Sequence, residues 1–264
     1  MADVLKLVTL NIWNRQGPWE RRLPLIRAGL RALDPDLIAL QEVLRFPGVG
    51  DQATEIGLDH HLAYGPAVAI GGSPLTVGNA LLSRWPIVET RTVPLPVAKE
   101  GDGRSLLCCT VETPRGLLGV YVTHLTWQLH LGHEREQQVR LIDDTVQETR
   151  PKSGPPVILM GDLNAEPDAD EIRFLRGLSS LGGRSTYWAD CFGQCGEGPG
   201  YTFARSNPYA RTAREPSRRI DYILVRGPDH EGKGEPVAAR VVLDEPTDGD
   251  WPSDHYGVYA EVTA

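Results

Sequence analysis

Six short apolar runs of β type each end or begin at an Asn, Glu, His or Asp, and no other feature of the chain limits its fold as strongly. The residues are Asn11 in Thr-Leu-Asn-Ile-Trp, Glu42 in Leu-Gln-Glu-Val, His124 in Val-Thr-His-Leu, and Asp162 with Asn164 in Met-Gly-Asp-Leu-Asn-Ala. Asp221 in Arg-Arg-Ile-Asp-Tyr and Asp254 with His255 in Pro-Ser-Asp-His-Tyr complete the set. A charged group at the end of a buried strand loses hydration, a cost that must be offset locally. Repeated along one chain, the pattern implies strand ends that converge on one polar cleft.

The runs themselves read as strands over Val4–Ile12, Leu37–Leu40, Ala80–Ser83, Ser105–Thr113, Leu117–Thr123, Val157–Met160, Ile220–Val225 and Tyr256–Val262. Between them, Glu20–Leu33 places Leu23, Ile26, Leu30 and Leu33 on one helical face. Glu134–Glu148 does the same with Val139, Ile142 and Val146, and Asp168–Leu178 follows Pro167 with Gly177 near its end. Gly182–Gly200 and Ala204–Arg218 read as long loops, a length that goes with function or mobility. Many strands with few covering helices suggest layered sheets flanked by helices, in one domain over residues 1–264.

Carboxylates and amides, rather than Cys/His clusters, suit a hard divalent cation such as Mg²⁺, with Mn²⁺ as the alternative. A His paired with an Asp takes a proton from water near neutral pH. Donors from Asn and His stabilise charge on phosphate oxygens. Each fragment alone reads as a turn, a cap or a surface acid. The ordered set reads as the equipment for water attack on a phosphoester.

The order Asn, Glu, His, Gly-Asp-x-Asn, Arg-x-Asp-Tyr, Ser-Asp-His, running from Asn11 to His255, resembles the endonuclease/exonuclease/phosphatase superfamily. The resemblance implies a four-layer α/β/β/α sandwich, an α+β fold of two packed mixed sheets flanked by helices, and Mg²⁺-dependent hydrolysis. It further implies that Asn11 and Glu42 hold the metal, with Asp254 close by. His255 becomes the general base oriented by Asp221, Asp162 positions the attacking water, and Asn164 and His124 donate to phosphate oxygens. Asn79, in Gly-Asn-Ala-Leu-Leu-Ser, falls where the superfamily supports the counterpart of His124. Trp13 stands where several members, notably abasic-site endonucleases, carry an Asp, which points away from that branch.

The rest of the chain narrows the substrate only partly among nucleic acid, a sphingomyelinase-type lipid headgroup and small soluble phosphoesters, with a catalytically inactive binding scaffold as the rival reading. A net charge of −8 argues against a protein coating nucleic acid through a general positive field, though a DNA or RNA substrate stays open. Against that background Ala204–Arg219 holds Arg205, Arg211, Arg214, Arg218 and Arg219 and only Glu215, which reads as a clamp for an anionic substrate. Trp13 and Trp127 read as half-buried loop residues, and His60, His61, His130 and His133 as surface or rim. Cys108, Cys109, Cys191 and Cys195 read as free thiols. No run of about 18 apolar residues occurs, and the first residues lack the pattern of an export leader, so the expected location is cytoplasmic. No protein partner is expected.

Overall fold

The computed structural model describes residues 4–97 and 102–263. Among these residues thirteen strands form two mixed sheets. In the first, the order is β12(Pro236–Val242), β13(Gly257–Thr263), β1(Val4–Asn11), β2(Leu37–Phe46), β5(Thr76–Ser83), β4(His61–Ala69), with β3(Gly50–Asp51) on β2. In the second it is β10(Ala189–Asp190), β11(Asp221–Val225), β9(Ile158–Asp162), β8(Gly116–His124), β7(Arg104–Thr113), β6(Ile87–Leu95). β1 with β2 and β8 with β9 pair in parallel, and the other neighbouring strands run antiparallel. Strands β4, β6 and β12 escape the sequence reading because Pro, Gly, Glu and Arg interrupt their apolar pattern.

Alternation along the strands assigns each face its layer. Leu5 and Leu7 of β1, Leu37 and Ala39 of β2, Val120 and Val122 of β8, Ile158 and Met160 of β9, and Ile223 and Val225 of β11 form one buried core between the sheets. On the outer face of the first sheet, Val8, Leu10, Ile38 and Leu40 lie under α1(Trp19–Leu33), through Trp19, Ile26 and Leu30. The outer face of the second sheet carries Leu106, Tyr121, Leu159 and Leu224 under α3(Gly132–Thr149) and α4(Asp170–Leu175). Helix, sheet, sheet, helix is the four-layer α/β/β/α sandwich of the α+β class. Short helices α2(Gln52–Ile56) and α5(Cys191–Cys195) close the loops after β3 and β10.

α1 departs from its expected face: Arg22 and Trp19 are buried, while Leu23 and Leu33 are only half-buried. The four cysteines are unpaired, three of them buried. Among the described residues no helix is long and apolar enough to cross a membrane.

Candidate active site

The inter-sheet core ends in charge. One step beyond Val122, Met160 and Ile223 on the same face come His124, Asp162 and Asp221, which stand in register across three strands: His124 beside Asp162 on β8 and β9, Asp221 beside Asp162 on β11 and β9. Gly161 makes that approach possible. At φ +151° it brings the chain so close to β8 that a Cβ would lie 1.9 Å from the Thr123 carbonyl oxygen. On the opposing sheet Asn11 ends the row Leu5, Leu7, Thr9 in the same manner.

Glu42 reaches the floor differently. Between the pairs Leu40–Ala80 and Val43–Gly78, β2 carries two residues against one, and Glu42 sits in this bulge at φ +58°. The bulge takes Glu42 out of strand alternation and turns its carboxylate to the cleft. A left-handed non-glycine residue costs on the order of 1 kcal/mol or more and persists where its surroundings hold it. Trp13 (φ +54°), Asn14 (+37°) and Asn164 (+50°) are also left-handed, so half of the eight such residues described gather here.

Hydrogen bonds join the two sheets. The Asn11 Nδ2 donates to Glu42 Oε1 at 3.2 Å and to Asp162 Oδ2 at 3.1 Å. Asn14 donates to the other Glu42 oxygen at 2.9 Å. The Asn164 backbone N–H donates to Asp162 Oδ1 at 2.9 Å, and its side-chain amide to the Leu125 carbonyl at 3.1 Å. His255 Nδ1 lies 2.9 Å from Asp221 Oδ2, with Nε2 3.7 Å from Asp162 Oδ2. Phe203 lies against the His255 ring, centroids 5.0 Å apart. Ser253 donates to the Asn11 carbonyl at 2.7 Å and to Asp254 at 3.3 Å.

So many carboxylates in so little water perturb one another. Burial, then the Asp221 charge, push Asp162 up to about 7. Burial, with a further contribution from Glu42, pushes Asp254 up to about 6. Burial alone would lower His255, but Asp221, Asp162 and Asp254 together outweigh it and hold the imidazole well above its usual range. His124 goes the other way: burial, then the Arg104 and His255 charges, hold it well below.

This donor set fits a divalent cation. Glu42 and Asp254 offer hard oxygen ligands, with the Asn11 side chain bonded to Glu42, and the raised Asp254 carboxyl marks negative charge that a cation would neutralise. Asp162, Asp221 and His255 also offer ligand atoms within 4.8 Å of one another. The His255 Nδ1 in that trio is already bonded to Asp221.

The cleft above this floor has a volume of about 350 Å³. Its walls include Val68, Val77, Trp127, Phe203 and Arg218, so Trp127, read from sequence as a loop residue, lines it with half its surface exposed. The arginine loop is rearranged relative to expectation. Arg219 does not face the cleft: both terminal nitrogens bind Asp190, at 3.0 and 2.8 Å, and the guanidinium covers Tyr222. Arg211 and Arg214 are exposed on the loop and line no part of the cleft; Arg218 does, paired with Glu215. Asn79 does not reach His124 either. Its amide ends on the Ser105 carbonyl at 3.0 Å, while Arg104 occupies the position beside the ring, with Nη1 3.4 Å from Nδ1.

Arg104, Asn14 and Arg22 carry no signal in the sequence pattern. Arg22, buried on α1, donates to the carbonyls of Ile12, Asn14, Gln16 and Pro252 at 2.8–3.0 Å, tying the loop after Asn11 to the segment before Asp254. Trp13 stacks on Tyr209 (5.1 Å) and accepts the Arg22 charge on its ring.

A carboxylate–imidazole floor at the joined ends of two packed mixed sheets defines a class of phosphoester hydrolases built on this sandwich. The chain belongs to the endonuclease/exonuclease/phosphatase family, whose sequence model matches residues 8–255. It is 31% identical over 176 residues to "Uncharacterized protein YbhP" of Escherichia coli strain K12, a match spanning 60% of this chain and 66% of that relative, just under two thirds of its length. A crystal structure of an endonuclease/exonuclease/phosphatase from Beutenbergia cavernae is similar at 26% identity and TM-score 0.74, covering 98% of this chain and 71% of that one. TDP2 from D. rerio, solved with a single-strand DNA product, shares the fold at 22% identity and TM-score 0.78, covering 99% and 100%. The human Nocturnin catalytic domain, solved with sulfate, shares it at 20% identity and TM-score 0.71, covering 99% and 96%.

Proposed function

We propose that this protein hydrolyses a phosphoester with Mg²⁺ or Mn²⁺, using a water activated by the Asp221–His255 pair. The observation that carries the reading is the 2.9 Å bond from His255 Nδ1 to Asp221, which leaves Nε2 facing the carboxylate floor beside Asp162. Glu42, Asn11 and Asp254 would hold the cation, which when bound polarises the phosphoryl group and offsets the charge that develops on it.

The chain's own groups account for the rest. With a bound cation offsetting the carboxylates that raise it, His255 would be neutral at Nε2 and take a proton from the attacking water, while Asp221 keeps the Nδ1 proton and steadies the imidazolium. Asp162 orients that water from its place between the two imidazoles. The water oxygen forms the new P–O bond while the ester P–O bond breaks and its electron pair leaves with the alcohol. Asn164 and His124 donate to the non-bridging oxygens. The apolar walls at Trp127 and Phe203 favour an ester that carries a flat ring, such as a nucleotide, as the second and narrower reading. TDP2 with its single-strand DNA product is a likeness of fold alone.

Hydrolysis of bis-p-nitrophenyl phosphate tests the reading. Activity is expected with Mg²⁺ or Mn²⁺, lost in EDTA and lost in Glu42→Ala and His255→Ala with the far-UV spectrum unchanged. Full activity in EDTA sinks the metal part, and full activity in His255→Ala sinks the base.

A further inference from the structure

We propose that Arg104 is a positioning residue for His124: it fixes the imidazole as the tautomer with a bare Nδ1 and a proton on Nε2, so that His124 donates a hydrogen bond to the phosphoryl group and does not act as an acid. This rests on the hydrolase reading above for its meaning, though not for its test.

Arg104 opens β7 on the strand next to His124, and its guanidinium lines the cleft. Its Nη1 lies 3.4 Å from His124 Nδ1, and its Nε is buried with no hydrogen-bond partner. A guanidinium only donates, so the ring nitrogen facing it must accept and carries no proton. The remaining proton then sits on Nε2, which faces the cleft and lies 3.4 Å from Asp162 Oδ2. The arrangement specifies which nitrogen is the donor, a choice that hydrogen-bond partners decide for any buried histidine.

The charges around the ring support the same state. Arg104 faces it from β7, Asp162 from β9, and His255 from the segment before β13; burial first, then the two cations, disfavour a second proton on His124. Burial lowers Arg104, and the charges of Asp162, Glu42 and Asp102 partly offset that loss of hydration. The two histidines of the floor are thereby driven apart. Three carboxylates attract charge to His255, while burial and then Arg104 keep it off His124, so the two imidazoles of one floor differ in charge.

Nitrogen-15 NMR of the full-length protein in EDTA tests this, with His124 assigned by its loss in His124→Asn. The expected spectrum has one bare nitrogen, Nδ1, and one protonated nitrogen, Nε2, unchanged between about pH 6 and 8. Arg104→Met is expected to admit the other tautomer or to let the ring titrate within that window, and Arg104→Lys, which keeps a donor and a charge, to restore part of the single state. With Mg²⁺ and bis-p-nitrophenyl phosphate, Arg104→Met should lose about tenfold or more in kcat with a smaller change in KM. A proton on Nδ1 in the unsubstituted protein overturns the proposal, whether or not the variant folds. So does an unchanged His124 spectrum in Arg104→Met. A protein that hydrolyses nothing defeats the hydrolase reading and leaves the spectra to decide Arg104.

Discussion

On β8, β9 and β11 the polar row His124, Asp162, Asp221 continues the same inner-face alternation that buries Val122, Met160 and Ile223 one step earlier. On the first sheet only Asn11 arrives that way. Glu42 comes through a bulge with left-handed backbone, Asn14 through a left-handed loop, and Asp254 and His255 through the loop before β13. One side of the cleft is therefore set by strand register and the other by local distortion held in place by side chains. Register is hard to perturb without moving a whole strand, whereas distortion depends on a few supports. His124, Asp162 and Asp221 depend on the first kind of construction, and Glu42, Asn14 and Asp254 on the second.

The largest expected effect lies where the two constructions meet, in the Asp221–His255 pair. His255→Ala and Asp221→Ala should each lower kcat by about 10²–10⁴-fold, and the double variant by little more than the worse single one, because the residues act as a unit. Steady-state kinetics decides. Additive losses would mean that the two groups serve separate steps.

Arg22 is the main support of the distorted side. Its guanidinium satisfies carbonyls on both the Ile12–Gln16 loop and Pro252, and burial lowers it to about 10 without removing its charge near neutral pH. Arg22→Met leaves several buried carbonyls unpaired and should cost about 3 kcal/mol of stability. Urea denaturation measures it. Metal affinity should fall alongside, since Asn14 and Asp254 lose their common anchor. A loss below about 1 kcal/mol would show that the loop is held without it.

Far more of the polar floor than of its supports was legible in the sequence. Asp162, Asp221 and His124 declare themselves because a strand that ends on an ionisable residue breaks its own apolar pattern. Asn79, Arg219, Arg211 and Arg214 were misread because charge and sequence position say nothing about direction. Arg219 abuts Asp221 in sequence, yet it turns to Asp190 beneath the sheet edge. Arg104 and Arg22 were invisible for the opposite reason: each is an ordinary arginine in sequence, and only packing removes it from water and gives it a partner. The layers themselves followed from periodicity and the resemblance together, while β4, β6 and β12, rich in polar and turn-forming residues, required the partner strands to define them.

The floor as a whole makes the metal-free protein sensitive to pH. Asp162 at about 7 and Asp254 at about 6 both lie above their free-chain value of 3.8, so the folded chain binds protons that the unfolded chain has released. Stability from these groups is present at acid pH and is lost as pH rises through the window from about 4 to 7. His255, also raised, acts in the same sense above its free-chain value of 6.5. In EDTA the melting temperature should therefore fall between about pH 5 and 8, and Mg²⁺ should raise it more at the upper end, where it has fewer protons to displace. A melting temperature that rises across that range in EDTA would mean that the carboxylates are not crowded as described.

The smallest effect is the most pointed test of distortion as a design. Glu42 holds a left-handed conformation that glycine adopts freely, and its carboxylate adds to the charge that burdens Asp254. In the absence of metal, Glu42→Gly should relieve both, raising stability by about 1 kcal/mol even though it deletes the hydrogen bonds from Asn11 and Asn14. With Mg²⁺ present the order should reverse, because the unsubstituted protein gains from binding and the variant does not. Thermal melts of both proteins with and without Mg²⁺ settle it. A variant less stable than the parent in EDTA would mean that the bulge is held by contacts worth more than its backbone costs, and that Glu42 is as firmly built in as the row on the opposite sheet.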